Sequence, residues 1–76
     1  MKVFILTCIN EESTLVSANA YRTREEAQIA MKTAFYAEKI DFEERGRLDY
    51  ADLKDNKAAV GNDEYCYVWD ITSDIL

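Results

Sequence analysis

The stretch "TREEAQIAMKTAFYAEKIDFEERG", residues 23 to 46, decides how this chain folds. Its first four residues are a capping box. Thr23 can accept a bond from the amide of Glu26, while the Glu26 carboxylate is placed to reach back to the Thr23 amide. Glu25 and Glu26 also lie where the helix dipole favours negative charge. From there to about Glu44 the sequence holds Ala, Glu, Lys and Met with no Pro or Gly, so it predicts one helix of about five turns. Gly46 is the natural stop. Projected at 3.6 residues per turn, Ala27, Ala30, Met31, Ala34, Phe35 and Ala37 share one broad face, with Phe42 on its edge. Such an Ala-rich stripe lets the helix lie close to a sheet. Ile29, Tyr36 and Ile40 fall on nearly the opposite face, where a simple helix-on-sheet domain has no use for them.

On either side of this helix the pattern changes to strands. "KVFILTCIN", Lys2 to Asn10, is apolar on both alternating sets: Phe4, Leu6 and Cys8 on one side, Val3, Ile5 and Ile9 on the other. A strand of that kind is expected in a sheet interior, covered on both faces. "NEES" is a polar hairpin connection, and Thr14 to Tyr21 reads as a second, weaker strand. After the helix, Asp49 and Asp52 suggest the cap of a single helical turn whose Tyr50 and Leu53 fold back over Tyr36 and Ile40, or leave them exposed. "KAAV", a Gly61-Asn62 turn and "EYCYVWDIT" then form a hairpin, and the tail "SDIL" reads as irregular, with Ile75 and Leu76 able to dock. The order is strand, strand, helix, short helix or turn, strand, strand. It implies a single α+β domain over residues 1–76, a sheet with one long helix packed on one face.

Composition narrows the function classes. The chain has 76 residues, nine Lys and Arg against fifteen Asp and Glu, a formal charge of −6 and no His. The basic residues are scattered, whereas a nucleic-acid binder gathers them on one face, so direct nucleic-acid binding is not expected. No run of apolar residues suggests a membrane span, and Val3 to Leu6 does not resemble a signal peptide, which makes a cytoplasmic location the expectation. The partner that this field attracts is a protein with a basic surface.

Catalytic chemistry has little to stand on. Without His there is no Ser-His or Cys-His pair and no imidazole metal ligand. Cys8 and Cys66 read as inert core thiols, and two Cys alone do not complete a zinc site. The acids of the middle of the chain, Asp41, Glu43, Glu44, Asp49, Asp52 and Asp55, do not follow a calcium-loop spacing and read as a solvated acidic rim. Gly46 and Gly61 stand alone, so no phosphate loop exists. No catalytic residue, metal site or cofactor is implied. An enzyme using Asp52 or Cys66 is the weakest reading.

Two surfaces are candidates for contact. In "EYCYVWD", residues 64 to 70, the alternate residues Tyr65, Tyr67 and Trp69 point to one side of a strand. Either they supply bulk beneath the Ala-rich helix, with Cys66 and Val68 outward, or they form an exposed aromatic row for a partner or for a two-fold homodimer. Glu64 and Asp70 bracket the row, which suits protein contact better than stacked bases. The second candidate is Ile29, Tyr36 and Ile40. The expected function is a small acidic, non-catalytic binding module that acts through an aromatic and aliphatic patch with an acidic rim, an inhibitor of a basic, nucleic-acid-handling protein being one form of it. In size, charge and lack of catalytic groups the chain is similar to small acidic proteins of phages and mobile elements. That likeness is compositional and covers no motif. Some of those proteins, anti-CRISPR proteins among them, inhibit host nucleases by occupying basic nucleic-acid channels. The alternative it implies is a nucleic-acid mimic in which the six mid-chain acids imitate phosphate spacing.

Overall fold

Five antiparallel strands and one helix account for the computed structural model, which describes residues 1–75; Leu76 and its expected docking lie outside the described residues. The elements are β1 (Lys2–Asn10), β2 (Leu15–Tyr21), α1 (Arg24–Glu44), β3 (Tyr50–Leu53), β4 (Lys57–Gly61) and β5 (Cys66–Ile75). The sheet order is β2-β1-β5-β4-β3. The last strand is therefore the centre of the sheet. It pairs with β1 from Lys2↔Ile75 to Asn10↔Tyr67 and with β4 from Lys57↔Asp70 to Gly61↔Cys66.

Helix α1 begins and ends where its capping residues dictate. The Glu26 amide donates to the Thr23 hydroxyl at 3.1 Å. At the other end Gly46, at φ 67, lets the Arg47 amide reach the Phe42 carbonyl at 2.9 Å and its own amide reach Glu43 at 3.0 Å. These two bonds are a Schellman motif, which satisfies the last carbonyls and turns the chain sharply. Arg24 fixes the start of the helix to the sheet, its guanidinium 5.1 Å from the Phe4 ring centre and 2.6 Å from the Asn56 side-chain oxygen.

The core lies between α1 and one face of the sheet. Ala27, Met31, Phe35 and Phe42 come from the helix, and Leu6, Cys8, Ala58, Val60, Trp69 and Ile71 from the strands. Phe35 meets Trp69 edge-on, with ring centres 6.1 Å apart. The opposite sheet face carries no helix. Strand β1 is thus interior within the sheet but covered by the helix on one face only, against the expectation of two: on the open side Val3 is buried, while Ile5 and Ile9 are half-buried.

Two local expectations are corrected. Residues 50 to 53 form strand β3, not a helical turn, because Tyr50 to Leu53 pairs with Gly61 to Ala58. Tyr50 and Leu53 consequently stay at the sheet edge and do not fold over Tyr36 and Ile40. The tail is strand too, since residues through Ile75 pair with β1, and Ile75 remains 78% exposed.

Candidate functional site

The aromatic row resolves in favour of the core. Trp69 is 3% exposed and packs beneath the helix, and Tyr67 is half-buried with its ring 6.4 Å from that of Phe42. Trp69 and most of Tyr67 are thereby removed from the docking surface that the sequence allowed. The reason is the strand's alternation over its full length: Tyr67, Trp69 and Ile71 face the helix, while Val68, Asp70, Thr72 and Asp74 face away. Tyr65 lies just before β5 and is 51% exposed.

Ile29, Tyr36 and Ile40 do form an exposed stripe, at 66%, 50% and 54%, on the side of α1 that faces away from the sheet. The six mid-chain acids do not converge. Asp41, Glu43 and Glu44 cluster at the end of α1, whereas Asp55 lies near its beginning, where the Gln28 amide donates to the Asp55 carbonyl at 3.0 Å. Three of the six are matched locally: Asp41 with Arg45 at 3.3 Å, Glu43 with Lys39 at 2.8 Å and Asp52 with Lys54 at 3.7 Å. Cys8 and Cys66 stand on opposite faces of the sheet, because Cys8 pairs with Trp69 on the helix side while Cys66 alternates away from it. Burial, then Glu38, pushes the Cys8 thiol up to about 11, so it stays protonated at neutral pH. Among the described residues no three His, Cys, Asp or Glu side chains converge as metal ligands. Nor is any helix among them long and apolar enough to cross a membrane.

The feature with most chemical content is a cleft of about 740 Å³ at the carboxyl end of α1. Glu38, Asp41, Phe42 and Arg45 reach it from the helix, Tyr65 and Tyr67 from β5 and its turn, Glu11 from the first hairpin and Arg47 from the loop after the helix. A hollow of about 180 Å³ adjoins it, lined by Ala34 and Ala37 above and by Cys8, Trp69 and Val16 below; Glu38 and Tyr67 border both spaces. The loops that frame the cleft are held by one side chain. Asn62 accepts from the amides of Glu64 and Tyr65 at 2.8 and 2.9 Å and donates to the Arg47 carbonyl at 2.8 Å.

Glu38 is the residue that sequence reasoning missed. Seven positions after Met31 and four before Phe42, it falls on the bearing of the core stripe, so it points at the sheet. An acid on that bearing was the available signal. The core continues past Glu38 to Phe42, and the carboxylate borders both the cleft and the hollow. Among the described residues it has no hydrogen bond and no ion pair. Burial first, and then Asp41, hold its carboxyl above the ordinary range, against the lowering pull of Arg45. Tyr67 is raised likewise by burial and then by Glu38 and Glu11. No basic residue occupies the last helical turn, so the negative end of the dipole adds to these charges.

This geometry predicts a pH-dependent cost. A carboxyl whose folded pKa exceeds its unfolded value is ionised more readily in the unfolded chain, so stability falls as pH rises between the two. Glu38→Gln should therefore raise the melting temperature at pH 7, and the difference from the parent should vanish below roughly pH 3.5, where both states are protonated. Paired thermal melts across pH measure it. A variant less stable than the parent at pH 7 contradicts the assignment.

No family model, no curated protein and no solved structure matches this chain. Its function is read from its own residues.

Proposed function

We propose that this protein is a non-catalytic binding module that takes a basic side chain of a protein partner into the cleft at the end of α1. The observation that carries this reading is Glu38, a half-buried carboxylate without a partner among the described residues, set between Tyr67 and Asp41 at the negative end of a helix. A Lys or Arg from outside supplies what it lacks. The aliphatic stem of such a side chain suits the apolar hollow under Ala34 and Ala37, and its charged head suits Glu38 and the ring faces of Tyr65 and Tyr67. Arg45, already bonded to Asp41 and largely exposed, is a local cation that an incoming one displaces.

The net charge of −6 adds long-range attraction for a basic partner surface, which raises the association rate. A nucleic-acid-handling protein presents such a surface, and inhibition follows if its basic groove is the part engaged. The exposed Ile29, Tyr36 and Ile40 stripe lies on the far side of the helix and offers a separate apolar contact.

The test uses a fluorescently labelled arginine-rich peptide titrated with the parent protein and three variants. Glu38→Gln should weaken binding about tenfold or more, since a hydrogen bond to a charged group contributes roughly 1.5–3 kcal/mol. Tyr36→Ala should leave peptide affinity unchanged, as should Asp52→Asn combined with Asp55→Asn. Equal affinity for Glu38→Gln and the parent overturns the reading. Loss in the double aspartate variant alone would favour the nucleic-acid mimic instead.

A further inference from the structure

The two edges of the sheet are defended very differently. Strand β3 is four residues long, and Asp49, Asp52, Lys54 and Asp55 surround it. Short length and charge are the usual means of stopping edge-to-edge pairing. Strand β2 has neither. It is seven residues, "LVSANAY", with no charge, Pro or Gly, and every residue from Leu15 to Ala20 is exposed. Leu15 and Val16 are 58% and 53% exposed. Its irregularity, opposite Cys8 and Ile9, sits at the strand's start, and the pairing from Ser17 to Tyr21 is in unbroken register. Ser13 to Tyr21 is also the longest uncharged run in a chain of charge −6.

An acidic chain that meets its own copy is repelled unless contact occurs where charge is absent or complementary. The edge of β2 satisfies both conditions. Its early end carries Glu11 and Glu12, and its late end carries Arg22. Antiparallel pairing of two β2 strands about a two-fold axis lays the acidic end of each copy beside the basic end of the other. The strand's midpoint is Ala18, so the register with most ladder bonds puts the axis there. A small residue then faces its own copy with no clash.

We propose that the protein self-associates through β2, antiparallel to β2 of a second copy, giving a continuous ten-stranded sheet with both helices on one face. The proposal does not rest on the cleft, although Glu11 lines the cleft and Val16 and Ser17 line the adjoining hollow.

Sedimentation equilibrium tests it on the full chain. The parent should show twice the 8.8 kDa chain mass. Ala18→Lys and Ala18→Glu should each sediment as single chains, because like charges then meet at the axis, and an equal mixture should regain the double mass. Far-UV circular dichroism and Trp69 fluorescence confirm that each variant is folded, and recovery on mixing separates repulsion from misfolding. Val68→Lys, on the open sheet face, should leave the double mass intact. A parent that sediments as one chain up to about 1 mM, a concentration at which even weak pairs associate, overturns the proposal. So does a double mass that survives in Ala18→Lys, one lost in Val68→Lys but kept in Ala18→Lys, or a mixture that stays single.

Discussion

Replacing Gly61 by Ala should cost about 3 kcal/mol or more of stability, as expected where a side chain is added at a backbone conformation it rarely adopts and into occupied space. Gly61 ends β4 at φ 151, and a Cβ there would overlap the Tyr65 carbonyl oxygen and lie 2.6 Å from the Cys66 Cα. Those atoms are backbone at the start of the central strand and in the turn just before it, and cannot swing aside. For a chain of this size, total stability is of the order of 4–11 kcal/mol, so the loss is a large fraction of the whole. Urea unfolding followed by Trp69 fluorescence reads it directly. Gly46→Ala serves as the comparison: its φ is also positive, at 67, but nothing lies within 4 Å of the added carbon. That variant should lose only about 1–2 kcal/mol, the cost of the left-handed conformation alone. Equal losses at the two positions would mean that the close approach at Gly61 contributes nothing.

Trp69→Ala should be comparably severe, with a loss of about 3–5 kcal/mol, typical when a buried aromatic is truncated and leaves a cavity. Trp69 is the pivot between the sheet and the helix, contacting Phe35 edge-on while pairing with Cys8 on one neighbour and Ala58 on the other. Because the variant lacks the only Trp, far-UV circular dichroism is the appropriate signal. The outcome separates two roles for the residue. A docking anchor on the surface would leave the free energy of unfolding within about 0.5 kcal/mol of the parent and lose only partner binding, whereas a core residue shows its loss in unfolding itself.

The helix, its caps and the first two strands were legible because each is written in local chemistry. Thr23 with Glu26 opens the helix, Gly46 closes it, and the apolar alternation of Lys2 to Asn10 needs no partner to be seen. Which side of β5 is buried was legible only over the whole strand. Within Tyr65 to Trp69 both alternating sets are apolar, but beyond it Ile71 follows one set, and Asp70, Thr72 and Asp74 follow the other. The expected strand already ran through Thr72, so Asp70, Ile71 and Thr72 carried that signal, and only Asp74 lay in the tail read as irregular. Strand β3 was not legible, since Tyr50 and Leu53 stand at the spacing of a helical turn and only pairing with β4 makes the segment extended. Tertiary context outweighs a four-residue pattern. The candidate site was partly visible. Tyr65, Tyr67 and Asp41 belong to it, but Glu38 looked like one more acid on a helix rich in them, and its importance comes from its bearing rather than its type.

The place of β5 at the middle of the sheet bears on the order of assembly. The strand that bridges β1 to β4 follows both in the sequence, so neither half of the sheet can join the other until it arrives. Its pairing with β1 closes contacts of very long sequence separation, which slows folding relative to a helical protein of the same length. While the chain is being made, β1, β2 and the helix are present without Tyr67 or Trp69 to cover. Glu38 then has no opposing ring and no cleft around it. The proposed capacity to take a cation therefore requires β5, and a chain made only as far as β4 lacks Tyr65 and Tyr67 of the cleft.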